Sequence, residues 1–151
     1  MIKILCVGKI KEKYFTSAID EYKKRLGKYT KLEIIEVNDY KTDVEKIAQL
    51  KEKELLLKHI NKNDYLICLD INGKMMDSIE LSNKISETLI FNSNITFIIG
   101  GSCGLDDEIK NMCDLSLSFS KLTFPHQLFR VMLLEQIYRA FKIKNNEAYH
   151  K

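Results

Sequence analysis

Short, largely apolar runs of five or six residues recur along the chain, separated by longer polar and mixed segments. Runs of this length, ended by Gly, Asp, Asn or Ser, predict buried strands rather than helices. The predicted strands are Ile2–Val7, Leu32–Val37, Tyr65–Leu69, Ile95–Ile99 and Leu115–Phe119.

The segments between the strands repeat apolar residues every three or four positions, which predicts amphipathic helices. The first helix is expected to end at Gly27, a residue typical of helix C-termini. Thr42–Glu45 resembles a capping box and is expected to open a long charged helix. The predicted buried side of that helix carries Val44, Ile47, Ala48, Leu55 and Ile60.

The second half of the chain carries three further predicted helices and one turn. Asn72-Gly73 is a turn pair, and Asp77 or Ser78 is expected to cap a helix that runs to about Phe91. Acidic residues 106–108 favour the start of a short helix, because the helix dipole stabilises negative charge there. Pro125 suits the first position of a last helix that ends near Phe141.

Strands and helices therefore alternate from one end of the chain to the other. This order predicts an α/β fold with a mostly parallel sheet and helices on both faces. The chain has no repeats, low-complexity tracts or long linkers, so we expect residues 1–151 to form a single domain.

Composition agrees with a soluble protein: hydrophobic residues make up 45% and charged residues 30%. No apolar run approaches the length of a membrane span, and the first residues predict a strand rather than a signal peptide. We therefore expect a cytoplasmic protein. The cysteines have no zinc-ligand spacing, and Cys6 and Cys68 lie within predicted strands, which favours small buried side chains over metal ligands.

The net charge of +3 is unevenly distributed. Residues 1–31 have a net charge of +6 and residues 121–151 of +4, whereas residues 32–120 have −7. If the two ends of the chain meet in space, they form a positive face suited to a phosphate backbone. The alternative is that these lysines only solvate helix surfaces.

Open parallel sheets bind ligands beyond the carboxyl ends of their strands, so the loops after residues 99 and 119 are the candidate site. Gly100–Gly104 reads G-G-x-x-G after the fourth strand, which disfavours an ordinary Rossmann dinucleotide site. Phe119–Phe124 places apolar side chains beside hydroxyls, a composition suited to an adenine ring and a ribose. A tight turn and a loop buried under the next helix are the respective structural alternatives.

Residues near the C-terminus add charged and titratable candidates. Glu135 and Arg139 lie four residues apart on one helix face, where a surface ion pair is the simple interpretation. Tyr149 and His150 end the chain with an aromatic ring and an imidazole. His126 is interpreted as a helix-start residue rather than a base.

Several segments together resemble the ribosomal RNA large subunit methyltransferase H family, a minimal branch of the SPOUT methyltransferases. They are Ile98–Leu105, Leu117–His126, Arg130, Glu135–Ala140 and Tyr149-His150. The glycine motif alone is unspecific, whereas the Thr-Phe-Pro-His, Tyr-Arg-Ala and terminal Tyr-His segments, in this order and spacing, are specific. The resemblance covers the whole chain.

The resemblance implies an α/β domain with a C-terminal trefoil knot that binds S-adenosylmethionine without a metal. It implies a homodimer that methylates N3 of a pseudouridine in a 23S ribosomal RNA stem-loop at the subunit interface of the assembled ribosome. The implied cofactor-binding residues are Leu69, Gly100, Phe119, Ser120, Lys121, Leu122, Thr123 and Phe124. The implied functional residues near the C-terminus are Glu135, Arg139, Tyr149 and His150, and in a dimer the tail of one chain would complete the site of the other.

Two other functions fit the residues less completely. A non-catalytic module that binds ribosomal RNA through the basic ends would need no cofactor. A flavodoxin-like enzyme would bind FMN or a dinucleotide, but it leaves the apolar loop and the terminal Tyr-His without a role.

Overall fold

The computed structural model describes residues 1–151 as ten alternating strands and helices. The strands are β1 (Ile2–Val7), β2 (Leu32–Val37), β3 (Tyr65–Met75), β4 (Ile95–Ile99) and β5 (Leu115–Ser118). The helices are α1 (Lys13–Leu26), α2 (Glu45–Leu57), α3 (Ser78–Phe91), α4 (Asp107–Met112) and α5 (His126–Lys144).

The five strands form one sheet in the order β2-β1-β4-β3-β5, and every neighbouring pair is parallel. The predicted parallel α/β architecture is therefore confirmed. Because all strands point the same way, their carboxyl ends meet at one edge of the sheet, where loops from β3, β4 and β5 lie together.

Alternating side chains of each strand build two cores. On β1, Ile2, Ile4 and Cys6 join the larger cluster with residues of α1, α3 and α5, whereas Leu5 and Val7 join a smaller one with α2 and α4. Successive strand residues point to opposite faces, so a continuous apolar strand must be covered on both sides. The prediction of helices on both faces is confirmed.

The expected turn at Asn72-Gly73 is wrong, because β3 continues through it to Met75. After an irregularity that follows Leu69, the strand pairs with β5 a second time. Gly73 permits this: a Cβ on it would lie 2.7 Å from the backbone carbonyl of Ser116, closer than real Cβ contacts. Glycine here serves close backbone approach rather than chain reversal.

The predicted cap of α3 is confirmed. The Asp77 carboxylate accepts a hydrogen bond from the Glu80 amide, and the Glu80 carboxylate accepts one from the Asp77 amide, each over 2.8 Å. The capping box predicted at Thr42–Glu45 is wrong. Val44 precedes α2 without a side-chain cap, and the helix begins at Glu45.

The predicted buried side of α2 is confirmed in part: Ala48 is buried and Leu55 and Ile60 pack, half-buried, against the smaller core. Ala48, Glu52 and Leu56 are the buried residues of the helix, whereas Val44 and Ile47 are about half exposed. The buried set is spaced by four residues and so forms one helical stripe. The apolar pattern misled because a carboxylate, Glu52, occupies the middle of the stripe.

The last helix ends three residues later than expected, and it starts at His126, so that Pro125 is its N-cap rather than its first residue. No helix of the chain is both long enough and apolar enough to span a membrane. The trefoil knot implied by the resemblance stays a prediction.

Candidate functional site

The loops after β4 and β5 line a single cavity of about 590 Å³ at the carboxyl edge of the sheet. Leu69 and Gly100 line it, as do five of the six residues of Phe119–Phe124. The exception is Lys121, which is exposed. The structure therefore brings the two candidate loops together, as the sequence pattern predicted.

The glycine loop forms a wall made mainly of backbone. A Cβ on Gly100 would lie 2.8 Å from the carbonyl carbon of Gly104 and 3.0 Å from the side chain of Leu105. The Gly104 amide donates to the Gly101 carbonyl over 3.0 Å, and Gly104 has a φ of +75°. This turn needs glycine at both ends, and it exposes peptide groups to a ligand.

The Phe119–Phe124 loop forms the apolar wall. The rings of Phe119 and Phe124 pack on Phe129 of α5, with centroid distances of 4.8 Å and 6.4 Å. None of the backbone-to-backbone hydrogen bonds outside the regular elements involves the amides of Lys121 or Thr123. The loop therefore combines aromatic surface with backbone donors that the fold does not use, as its composition suggested.

A second cavity of about 520 Å³ is lined by residues of the same loop. It shares Leu117, Phe119, Ser120 and Phe124 with the first cavity and adds residues of α3 and α5. Glu135 and His150 line it. One loop therefore lines both cavities, the first together with the glycine loop and the second together with Glu135 and His150.

Glu135 is the centre of a hydrogen-bonded group. Its carboxylate accepts hydrogen bonds from Arg139 over 2.6 Å and 3.0 Å, from Gln136 over 2.7 Å and from the hydroxyl of Tyr149 over 3.1 Å. The side chains of Glu135 and Arg139 are 20% and 24% exposed, so this is more than a solvated surface ion pair. A nitrogen of Arg139 also lies 3.4 Å from Nδ1 of His150.

The hydroxyl of Tyr149 stays protonated in this environment. Burial and the nearby Glu135 carboxylate raise the pKa of Tyr149 to about 12. The guanidinium carbon of Arg139 lies 4.7 Å from the centre of the same ring, a cation–π contact. Tyr149 can therefore donate a hydrogen bond or stack, but it is not a base near neutral pH.

His126 begins α5, as expected, and its ring lies against Gly8, where a Cβ would be 3.1 Å from Nε2. Burial, and secondarily the positive charge of Arg130, lower the pKa of His126. The imidazole is therefore kept neutral at the rim of the first cavity, which it lines.

Sequence reasoning gave no role to Arg130, although the residue is fully buried. Its guanidinium donates to the Glu36 carboxylate over 2.8 Å and to the Gly8 carbonyl over 3.0 Å, which ties α5 to β2 and to the loop after β1. A signal was present in the spacing, because Arg130 occupies the apolar stripe of α5 with Leu133, Leu134 and Ile137.

Cys6 and Cys68 are buried, as predicted, and burial raises the pKa of the Cys6 thiol to about 12. No group of three or more His, Cys, Asp or Glu side chains is arranged to hold a metal ion.

A family model described as "Predicted SPOUT methyltransferase" matches residues 1–150. Ribosomal RNA large subunit methyltransferase H of Clostridium botulinum (strain Okra / Type B1) is 55% identical, with 99% of each chain covered. The protein of the same name from Clostridium novyi (strain NT) is 54% identical, also with 99% of each chain covered.

Two solved structures share the fold. One is "a probable methylase family protein" from Haemophilus influenzae Rd KW20, with a TM-score of 0.60, 15% identity and coverage of 99% of this chain and 70% of that one. The other is the tRNA (m1G37) methyltransferase of Aquifex aeolicus, with a TM-score of 0.50, 14% identity and coverage of 91% and 69%. The chain belongs to the SPOUT methyltransferases and, within them, to the ribosomal RNA large subunit methyltransferase H family.

Proposed function

We propose that this protein transfers a methyl group from S-adenosylmethionine to N3 of a pseudouridine in a 23S ribosomal RNA stem-loop of the assembled ribosome. The observation that carries the proposal is the shared cavity of the Gly100–Gly104 and Phe119–Phe124 loops, with Glu135 and His150 across the second loop. The names of the full-length relatives support ribosomal RNA as the substrate class.

The first cavity fits the methyl donor in size and chemistry. A volume of about 590 Å³ is in the range of small-molecule sites. Leu69, Gly100 and the loop Phe119–Phe124 would hold the donor, with aromatic surface for adenine and free amides for its polar groups. S-adenosylmethionine supplies an activated methyl group and its own leaving group, so the chain need provide no covalent nucleophile.

The chain's own side chains must then hold the base and receive the proton lost from N3. Glu135 already accepts hydrogen bonds from three side chains, so we propose that its role is to orient Arg139 and Tyr149. Tyr149, protonated near neutral pH, stacks on the base or donates to it. The imidazole of His150 has only one long contact, with Arg139, so we propose that it is the group that accepts the proton from N3.

Basic residues near both ends of the chain favour docking of the ribosomal RNA backbone. The guanidinium of Arg25 on α1 lies 5.7 Å from the ring centre of Tyr138 on α5, so the two helices lie side by side. Lys23, Lys24 and Lys28 are exposed near the end of α1. Clustered lysines supply phosphate contacts that position an RNA without reading its sequence.

We further propose that the whole chain acts as one domain, and that two copies form a homodimer whose tails complete each other's sites. Exposed apolar side chains support pairing: Met75 is 54% and Ile79 49% exposed, each next in sequence to a residue that lines the second cavity, and Leu122 of the first cavity is 71% exposed. Exposed large apolar side chains that cluster on a surface are typical of interfaces. A substrate within the ribosome implies that the protein works in the cytoplasm.

Methyl transfer to assembled ribosomes, compared with naked 23S ribosomal RNA, tests the proposal. Ribosomes that lack the modification would be incubated with labelled S-adenosylmethionine, and the labelled nucleotide would be mapped. We expect label at N3 of one pseudouridine, with ribosomes as the better substrate. Ribosome binding without any methyl transfer would instead support a non-catalytic RNA-binding module.

A further inference from the structure

Glu52 carries a buried carboxyl group on α2 that the proposed reaction does not use. The residue is 5% exposed. One of its oxygens accepts a hydrogen bond from the Tyr40 amide over 3.1 Å, and the other has no partner. An unpaired buried polar atom destabilises a protein, so its presence calls for a physical explanation.

The carboxyl group of Glu52 rests against the glycine loop. A Cβ on Gly101 would lie 3.0 Å from one carboxyl oxygen and 3.1 Å from the other. Any residue larger than glycine would therefore push the loop or the carboxyl group aside. Gly101 lines the first cavity, so Glu52 supports the wall of that cavity from behind.

A second residue of α2 holds the same loop. The side-chain amide of Gln49, one turn before Glu52, donates to the backbone carbonyl of Cys103 over 2.7 Å. The loop makes one internal backbone hydrogen bond, from Gly104 to Gly101. Its place over the cavity thus depends on contacts from α2 as well as on its own turn.

No cation neutralises Glu52. Burial raises the pKa of its carboxyl group, the hydrogen bond from the Tyr40 amide offsets part of that rise, and the negative charge of Asp39 in the loop after β2 raises the pKa further. Lys53, the next residue on α2, is paired with Glu108 over 2.7 Å and lies 3.6 Å from Asp106. Val7 of β1, which also lies against Gly101, is apolar and supplies no charge. The protonated carboxyl group gains a hydrogen that it can donate, as a glutamine side chain also can.

We propose that Glu52 is a positioning residue of the methyl-donor site, which sets the place of Gly101 and thereby the shape of the cavity wall. The inference rests on the proposed function of that cavity. Backbone groups of a binding loop must be held within a fraction of an ångström for close contacts to form. A protonated Glu52 fits against Gly101, whereas its carboxylate would be a buried, unpaired charge there.

The direction of the pH effect follows from the raised pKa. A glutamic acid in an unfolded chain has a pKa of about 4.5, and the pKa of Glu52 in the native state lies above that value. The stability that this proton contributes is present below pH 4.5 and is lost as pH rises through the folded pKa. We expect donor affinity to fall over the same window, since the carboxylate displaces the loop.

Calorimetric titration of the full-length protein with S-adenosylhomocysteine, from about pH 5 to about pH 9, tests the inference. We expect Glu52→Ala to weaken binding about tenfold, and Glu52→Gln to bind like the wild type at low pH and to lose the decline with pH. Glu54→Gln, an exposed carboxylate of the same helix, is the matched control and should behave as the wild type.

Each outcome supports or contradicts the inference. The inference would be overturned if Glu52→Gln bound as tightly as the wild type and kept the same decline with pH, even if Glu52→Ala does not fold. Equal loss in Glu52→Gln and Glu52→Ala would overturn it too, because a glutamine should rescue a protonated carboxyl group. Failure of the wild type to bind S-adenosylhomocysteine at any pH would refute the donor site itself, and the inference with it.

Discussion

The hydroxyl of Tyr149 donates a hydrogen bond to the carboxylate of Glu135 over 3.1 Å, which fixes the end of the chain against the middle of α5. The same carboxylate accepts two hydrogen bonds from Arg139, whose guanidinium lies over the Tyr149 ring. The three side chains form one unit, and His150 follows at the edge of the second cavity. Substitutions in this unit should affect transfer more than donor binding.

Replacing Glu135 with alanine removes the common acceptor of the unit. We expect methyl transfer to ribosomes to fall about 100-fold, while the affinity for S-adenosylhomocysteine stays within about threefold of the wild type. Single-turnover transfer and calorimetry would measure the two effects. Glu87→Gln, an exposed carboxylate on α3, is the control. Equal losses of binding and transfer in Glu135→Ala would contradict a role specific to the RNA substrate.

Tyr149→Phe removes a hydroxyl but keeps the ring. Because the pKa of Tyr149 is raised to about 12, the phenol stays protonated through the ordinary titration range near 10. We expect transfer to fall only about three- to tenfold, the effect of one lost hydrogen bond. The pH profile of kcat/KM should keep its shape. Loss of a titration step from that profile would show that Tyr149 acts as a base.

Replacing Arg130 with methionine breaks a buried ion pair. The Glu36 carboxylate and the Gly8 carbonyl would lose their shared donor, so we expect the free energy of unfolding to fall by about 3 kcal/mol. Urea denaturation measures the change. Arg25→Met, at an exposed ion pair on α1, should change stability much less. Equal effects of the two substitutions would mean that the buried contacts of Arg130 contribute little.

Gly73→Ala tests the close approach of β3 and β5. The added methyl group would lie 2.7 Å from the Ser116 carbonyl, so we expect a loss of about 2 kcal/mol or more of stability. Gly27→Ala is the control, because Gly27 has helical dihedral angles and ordinary contacts of 3.4 Å. It should leave stability unchanged or raise it by up to about 1 kcal/mol. A fully stable Gly73→Ala would disprove the second pairing of β3.

The parallel direction of the strands and the meeting of their loops could be predicted from the sequence, because both follow from the alternation of strand and helix periodicity, whereas the order of the strands was not predicted. Local sequence patterns predicted the wrong structure at two places. Asn72-Gly73 resembles a turn, but Gly73 is glycine because the backbone of β5 passes close to it. Thr42–Glu45 resembles a capping box, but the helix begins at Glu45 with no side-chain cap.

Buried charges were the main feature that periodicity did not assign. Arg130 and Glu52 occupy apolar stripes of α5 and α2, where spacing alone predicts hydrophobic residues. Their partners come from the ends of β1 and β2 and from the glycine loop, which are distant in sequence. The tail was singled out by composition, but only the fold shows that Tyr149 and Glu135 touch.

Calorimetric titration at about pH 6 with S-adenosylhomocysteine, and separately with FMN, tests most directly whether the loops after β4 and β5 hold a methyl donor. We predict one S-adenosylhomocysteine site per chain, with no binding of FMN. Gly100→Ala should abolish that binding, because the new methyl group would lie 2.8 Å from the carbonyl carbon of Gly104. Binding of FMN in preference to S-adenosylhomocysteine, or undiminished binding in a folded Gly100→Ala variant, would contradict the account.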